Sequence, residues 1–371
     1  MIPTPRDRFE EWFRLPVVGP AEHPRFEVRR ARPEDFARIY DCVDAAFGRK
    51  RPRALFEWLY RANPFGLARC WIVLERSSDA LLKTGASFPW PIWRGREPLL
   101  GALSGDAGTV PAWQRKGLAA VRRAHTRAHP WYAEFCGIAG PNEGSRAVSQ
   151  KAGDSDQLLG TLRGASLPLR AAPLLERIGA PVRVAAALGR VSDGALSLWR
   201  QRARRGAARA GGRVEQVTRF TTDFDDVTLR WMDWPLYWSP HNVDFLNWRY
   251  LAHPVESYVA LALVEHDAPT AYAVVCLERD KATLAELVVE VDPPDRAAKL
   301  LAAAIDVAHE AGCASLNFFA PPGWRHWRSL ARAGFLPYHT KNHFEVFGRR
   351  REPEVLDIRN WQVVPGDRDF R

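Results

Sequence analysis

Residues 109–125 read TVPAWQRKGLAAVRRAH. An apolar, strand-like run, LLGALSGDAGTV, leads into them, and Val110–Pro111 closes it. A helix-like pattern follows from about Gln114 to His129. A strand that turns into a helix here presents a row of backbone N–H groups without intrahelical partners, at the positive end of the helix dipole. Such an end suits an anion. Gly117 removes a side chain where a diphosphate would have to approach the backbone closely, and Arg115 and Lys116 add mobile positive charge. The spacing is neither GxGxxG nor a Walker A loop, so nucleotide sites of those kinds lack their signatures. An ordinary basic helix start is the competing reading, and the rest of the chain has to decide.

At 371 residues the chain exceeds what one small core organises, so two domains are expected. Net charge is +10, almost all of it from arginine, which suits phosphate-bearing ligands, nucleic acid or an anionic membrane surface without choosing among them. The five cysteines are scattered and form no CxxC pair, which argues against a disulfide scaffold and a structural zinc site. The N-terminus MIPTPRDRFEEWFRLP is charged throughout and has no signal-peptide core, and no window approaches a spanning helix. A soluble, cytoplasmic protein is expected.

Outward from the opening stretch, FEVRRARPEDFARIYDCVDAAF begins with a short strand at Phe26–Arg29. A helix follows, with Phe36, Ile39, Tyr40, Val43 and Phe47 at the spacing of a buried face. Short strands at CWIVLE and GASFPW come next, then the strand, loop and helix of residues 99–129, a strand at YAEFCGIAG and a helix from Gly144 to Ala152. This order recurs. LFEWLYRANP (55–64) matches FLNWRYLAHP (245–254), placing Trp58 on Trp248 and Tyr60 on Tyr250, and QKAG (150–153) matches ARAG (331–334). Between the copies, residues 170–213 read as one or two helices broken at Pro181 and Gly194, ending in a loose basic segment. That segment is either a solvated connector or a basic surface for RNA or anionic lipid.

The run Gln114–Arg115–Lys116–Gly117–Leu118–Ala119 resembles the [QR]xxGx[GA] signature of the GNAT superfamily of acyl-CoA N-acyltransferases. PNEGSRAVSQKAG resembles the family's next motif, with Asn142 at a strand end and Lys151 and Gly153 closing a helix. The resemblance covers residues 25–165 in motif and the second copy in fold only. It implies a mixed α/β (α+β) fold with two tandem GNAT-like domains joined by a helical basic linker. The expected layout is an N-terminal extension (1–24), an acyl-CoA-binding domain (25–167), the linker (168–213), a degenerate domain (214–350) and a tail (351–371) that packs back on the body. It also implies that Val110, Gln114 to Ala119 and Asn142 bind the coenzyme A of acetyl-CoA or another acyl-CoA through the loop backbone. In the second copy Gln114–Ala119 fall opposite Asp295, Arg296, Ala297, Ala298, Lys299 and Leu300. The glycine is gone, so only the first copy is expected to bind acyl-CoA.

Acyl transfer to an amine needs a base, a polarised carbonyl and a stabilised or protonated thiolate. Asp106, at the expected splay of the strands, is the candidate base, and the rival reading has it hydrogen-bonding backbone at a bulge near Gly105 and Gly108. Glu134 is a weaker candidate. The family's usual acid, a Tyr seven residues after the Asn, falls on Ser149, whose hydroxyl is a poor acid, so Ser149 occupies the catalytic position while the acid stays unassigned. Trp58 and Tyr60 are either core or the wall of an acceptor pocket, together with Trp90 and Trp93. His125 and His129 lack a third ligand and are expected to face solvent, with no metal site. The leading function is N-acyl transfer, in the simplest case N-acetyl transfer, to an amine of an unidentified small molecule or sugar. A tRNA-dependent aminoacyltransferase of cell-wall type and a non-catalytic acyl-CoA-binding module are the alternatives. Nucleic acid is not an expected partner, and the basic linker allows peripheral surface contact.

Overall fold

The computed structural model describes residues 2, 4, 7–15, 23–133, 135–141, 143, 158–177, 179–230, 236–290, 294–348 and 353–367. Its strands are β1 (Phe26–Arg30), β2 (Arg69–Glu75), β3 (Leu81–Pro89), β4 (Ile92–Arg94), β5 (Glu97–Gly105), β6 (Phe135–Ala139), β7 (Leu158–Pro168) and β8 (Arg213–Val217). They continue as β9 (Tyr237–Trp238), β10 (Ser257–Glu265), β11 (Ala268–Leu277), β12 (Ala282–Val288), β13 (Ser315–Ala320), β14 (Leu336–Gly348) and β15 (Trp361–Gln362). The helices are α1 (Phe9–Arg14), α2 (Phe36–Phe47), α3 (Arg53–Tyr60), α4 (Leu118–Ala128), α5 (Ala172–Arg177), α6 (Val182–Ala207), α7 (Asp223–Leu229), α8 (Val243–Leu246), α9 (Pro294–Glu310) and α10 (Trp327–Ala333).

The main sheet runs β1-β2-β3-β5-β6-β14-β7-β13-β12-β11-β10-β8. This order mirrors itself about the central β14–β7 pair, and so do the strand directions. β5–β6 and β12–β13 are parallel, whereas the flanking pairs on both sides are antiparallel. The last strand of each half has crossed over: β7 pairs with β13 from Ser315↔Pro168 to Ala320↔Arg163, and β14 pairs with β6 from Glu345↔Ala139 to Gly348↔Cys136. The cores are shared in the same way. Phe344, Val346 and Trp361 complete the cluster around Phe36 and Tyr60, while Ala165 and Leu167 join the cluster built on α9.

Propensity and packing explain most elements, and three differ from the sequence reading. The buried face of α2 is Phe36, Ile39, Tyr40 and Val43, but Phe47, the last helical residue before Gly48, is 41% exposed with Arg51 over its ring. The linker helix α6 runs straight through Gly194: one interior glycine costs only about 1 kcal/mol, which packing on α9 and α10 offsets. The helix expected from Gln114 starts four residues later, at Leu118, because Arg115 (φ 62°) and Gly117 (φ 81°) are left-handed and cannot belong to a right-handed helix.

The two halves meet at a reciprocal contact. The rings of Trp58 and Trp248 stack with centroids 4.4 Å apart and planes 14° from parallel. Trp58 Nε1–H donates to the Trp248 carbonyl at 2.9 Å, and Trp248 Nε1–H donates to the Trp58 carbonyl at 3.1 Å. Trp58→Ala or Trp248→Ala is expected to lower stability by about 3–5 kcal/mol in urea unfolding. The double variant should cost clearly less than the sum, because the two share one contact.

Candidate functional site

The parallel pair β5–β6 ends at Leu103↔Ile138. Beyond that point β5 stays with β3, through Ser104↔Ser87 and Gly105↔Ala86, and the chain keeps hugging β3. The Thr84 amide donates to the Gly108 carbonyl, Thr109 bridges to Lys83, and the Val110 amide donates to the Leu82 carbonyl. Because β5 follows β3 past its last contact with β6, the two parallel strands part, and the loop leading into α4 sits above the opening.

That loop is a short turn at Pro111–Trp113 followed by Gln114, Arg115, Lys116 and Gly117, all four exposed. Gln114 Nε2 donates to the Thr109 carbonyl at 3.2 Å, tying the loop to its own base. The Lys116 ammonium lies 4.8 Å from the Trp113 ring centroid. At Gly117 a Cβ would meet nothing within 4 Å, so open space lies over the backbone at the start of α4. Leu118 points inward onto Phe26, Val73 and Leu82, which fixes the helix to the sheet, and Ala119 is half-buried. Val110 packs on the same cluster. The geometry therefore combines unpaired helix-start donors, positive charge and free approach in one place.

Three cations stand around the strand end and helix start without being singled out in the sequence. Lys83 is buried and donates from Nζ to Thr109 Oγ1 at 3.0 Å. Burial, and then the Arg122 charge, push its pKa down to about 7, so it exchanges its proton near neutrality. Arg122 of α4 lies against the sheet at Gly85, where a Cβ would stand 2.9 Å from its guanidinium carbon. Arg51 enters from the segment between α2 and α3. No periodicity or motif marks any of them, since each gains its place from chain crossings tens of residues away.

Asp106 follows the end of β5 with a left-handed φ of 48°. Both of its oxygens are engaged: Arg51 Nη1 donates to Oδ1 at 2.7 Å and the Tyr60 hydroxyl donates to Oδ2 at 2.9 Å. Arg51, Asp106 and Tyr60 are all buried. Trp58 is buried against Trp248, while Trp90 and Trp93 are buried too, Trp90 donating to Asp367 Oδ1 at 3.1 Å. His125 and His129, expected in solvent, are buried instead. His125 sits within 3.0 Å of the Val121 carbonyl, and His129 Nε2 lies 3.0 Å from Arg30 Nη1. Burial and the Arg30 charge push His129 down to about 4. The α4 C-terminus is covered by α1 through Trp12, and that contact buries the His129 ring. Asn142, Ser149, Lys151, Gly153 and the candidate Glu134 lie outside the described residues.

The mirror position in the second half is filled differently. Tyr250 donates to Glu286 Oε2 at 2.7 Å, as Tyr60 does to Asp106, but Glu286 Oε1 also meets the Tyr272 hydroxyl and His241 Nδ1, both at 2.8 Å. His241 Nε2 reaches Asp367 Oδ1 of the C-terminal segment at 2.9 Å. At the start of α9, Arg296 pairs with Glu265 at 2.7 Å and Glu290 at 2.8 Å, and Lys299 Nζ donates to the carbonyls of Ala210, Gly211 and Gly212. The chain's own groups occupy the place that stays open at Gly117.

No family model matches the chain, and no curated protein does. Solved structures do. A conserved protein of unknown function from Enterococcus faecalis, described as a probable N-acyltransferase, superposes with a TM-score of 0.59 at 11% identity, covering 87% of this chain and 73% of that one. The chain has the GNAT fold. Saccharomyces cerevisiae N-myristoyltransferase with bound myristoyl-CoA superposes with a TM-score of 0.58 at 11% identity, covering 95% of this chain and 84% of that one. At such identities the likeness is one of fold.

The buried bracket in the second half sets a pH dependence. Burial opposes a charge on His241, but the Glu286 and Asp367 carboxylates outweigh it and raise its pKa to about 9, from about 6.5 unfolded. The imidazolium therefore stabilises the fold fully below about pH 6.5, and this contribution is lost as pH climbs toward 9. Thermal unfolding of the wild type should show stability falling across that window, and His241→Gln should flatten the decline while lowering stability at neutral pH.

Proposed function

We propose that this protein is an N-acyltransferase that takes its acyl group from acyl-CoA, in the simplest case acetyl-CoA, and delivers it to an amine of a small molecule or sugar. The observation that carries the reading is the open helix start at Gly117, set above the point where β5 and β6 part. The backbone of Gln114 to Ala119 would receive the pyrophosphate, with Val110 and Asn142 as further contacts. The fold shared with proteins named as acyltransferases supports the same reading. On this proposal the two halves descend from one unit, and the second, whose helix start is filled by Arg296 and Lys299, is scaffold.

The experiment is a calorimetric titration with acetyl-CoA and a long-chain acyl-CoA. Wild type is expected to bind at least one of them. Gly117→Glu puts a carboxylate where the pyrophosphate would lie and should abolish binding, at a cost of only about 1–2 kcal/mol in stability for the left-handed backbone, because the added side chain meets open space. Binding that survives Gly117→Glu would move the site elsewhere, and absence of binding by wild type would end the acyl-CoA reading.

Asp106 is the proposed base, and the geometry sets a condition on it: Arg51 must release Oδ1 when substrate arrives. The doubly held carboxylate favours a second role, a brace that fixes the strand end, with Tyr60 as part of that brace rather than of an acceptor wall. Asp106→Asn separates the two. A base should show thiol release slowed about 10²–10⁴-fold with acyl-CoA affinity retained. A brace should cost about 3–5 kcal/mol of stability, because Arg51 is left buried without its carboxylate, and should leave the pH profile of the remaining turnover unchanged. Ser149 holds the sequence position of the family's acid and is assigned no proton transfer. Binding without thiol release against any amine would favour an acyl-CoA-binding module instead.

A further inference from the structure

Helix α6 connects the halves and spans residues Val182–Ala207, about 39 Å at the usual rise. One side of it is packed. Ala185 is fully buried, Trp199 Nε1–H donates to the Gly334 carbonyl at 2.9 Å, and Gly206 lies against Ala298 of α9. The neighbouring flank is not covered by anything in the described chain. Val184, Leu188 and Leu198 follow helical spacing along it and are 46%, 53% and 69% exposed, with Ala195 exposed between them. Isolated exposed leucines are ordinary, but an aligned row on one helix marks a contact surface.

The charge of the same helix says what that surface meets. Its sequence carries Arg183, Arg190, Arg200, Arg202, Arg204 and Arg205, no lysine, and a single acid, Asp193. Asp193 is occupied within the fold, accepting from the Ala171 amide at 2.8 Å. Arg183 and Arg205 are exposed, and the exposed Arg209 extends the basic run past the helix end. A helix with an apolar flank and an almost purely cationic remainder is the arrangement that lies in the headgroup region of an anionic bilayer. RNA would use the arginines but has no use for the aliphatic row, and a second copy of so basic a helix would meet like charge. No helix of the described residues is long and apolar enough to cross a membrane, so the contact is with a surface.

We propose that α6 docks this protein on anionic lipid, with Val184, Leu188 and Leu198 entering the headgroup boundary and the exposed Arg183, Arg205 and Arg209 facing lipid phosphates, while Arg204 pairs with Asp306 at 2.8 Å. The docking does not depend on the acyltransferase reading.

The test is co-sedimentation of the full chain with phosphatidylcholine vesicles, with and without phosphatidylglycerol. Binding is expected only with phosphatidylglycerol, and it should weaken as salt is raised. Leu188→Ser with Leu198→Ser, and separately Arg183→Glu with Arg205→Glu, should each reduce the bound fraction by about tenfold or more. Both double variants change side chains that already face solvent, so an unchanged thermal unfolding curve shows that the fold survives. Failure of wild type to sediment with phosphatidylglycerol vesicles overturns the proposal, as does binding indifferent to both variants. A dimer broken by the leucine variant without vesicle binding would give the flank to a second copy. RNA binding that needs only the arginines would give the helix to nucleic acid. Either result overturns the lipid assignment.

Discussion

Everything in this molecule hangs on two tryptophans that hold each other. Trp58 and Trp248 stack ring on ring, and each indole N–H satisfies the other's backbone carbonyl. A contact that is its own mirror image fixes the relation of the halves as an isologous interface fixes a dimer, but inside one chain. Given that relation, the last strand of each half lies beside the other half's sheet, and the β14–β7 pair at the centre becomes the natural closure. The packing of Phe344, Val346 and Trp361 onto the first-half core follows from the same placement.

Much of this was legible in the sequence. The match of LFEWLYRANP to FLNWRYLAHP sets Trp58 opposite Trp248, and hydrophobic spacing marks most strands and helices. The sequence of the loop at 114–117 shows its chemistry but not its shape. A helix pattern ignores that Arg115 and Gly117 are left-handed, a property set by how β5 follows β3. Arg51 on Asp106, Lys83 on Thr109 and Asp367 on His241 were out of reach for one reason: each pair joins residues separated by dozens to over a hundred positions. Local periodicity carries no information about such partners. The histidines show the same limit. His129 reads in sequence as an exposed helix-end residue, but Trp12 of α1 covers it.

The halves share a strand layout but fill it differently. Each has a tyrosine on a buried carboxylate near the end of the strand that precedes the second parallel strand. The first half keeps the ground above that strand end open. The second fills its counterpart with Arg296, Lys299 and the carbonyls of 210–212, and locks its carboxylate with a histidine and the C-terminal segment. The cations at the start of α9 are thus already satisfied by the chain's own carboxylates and carbonyls.

The crossed strands bear on how the molecule comes into being. β6 is bordered by β14, which lies some two hundred residues later in the chain. During synthesis the first half therefore emerges with a raw sheet edge that nothing upstream can cover. It must wait, exposed, until nearly the whole polypeptide has left the ribosome. The same wiring makes the second half indispensable: deleting it would not yield a smaller fold but an unfinished one. β14, supplied from the far end of the chain, thus keeps the first half's sheet whole.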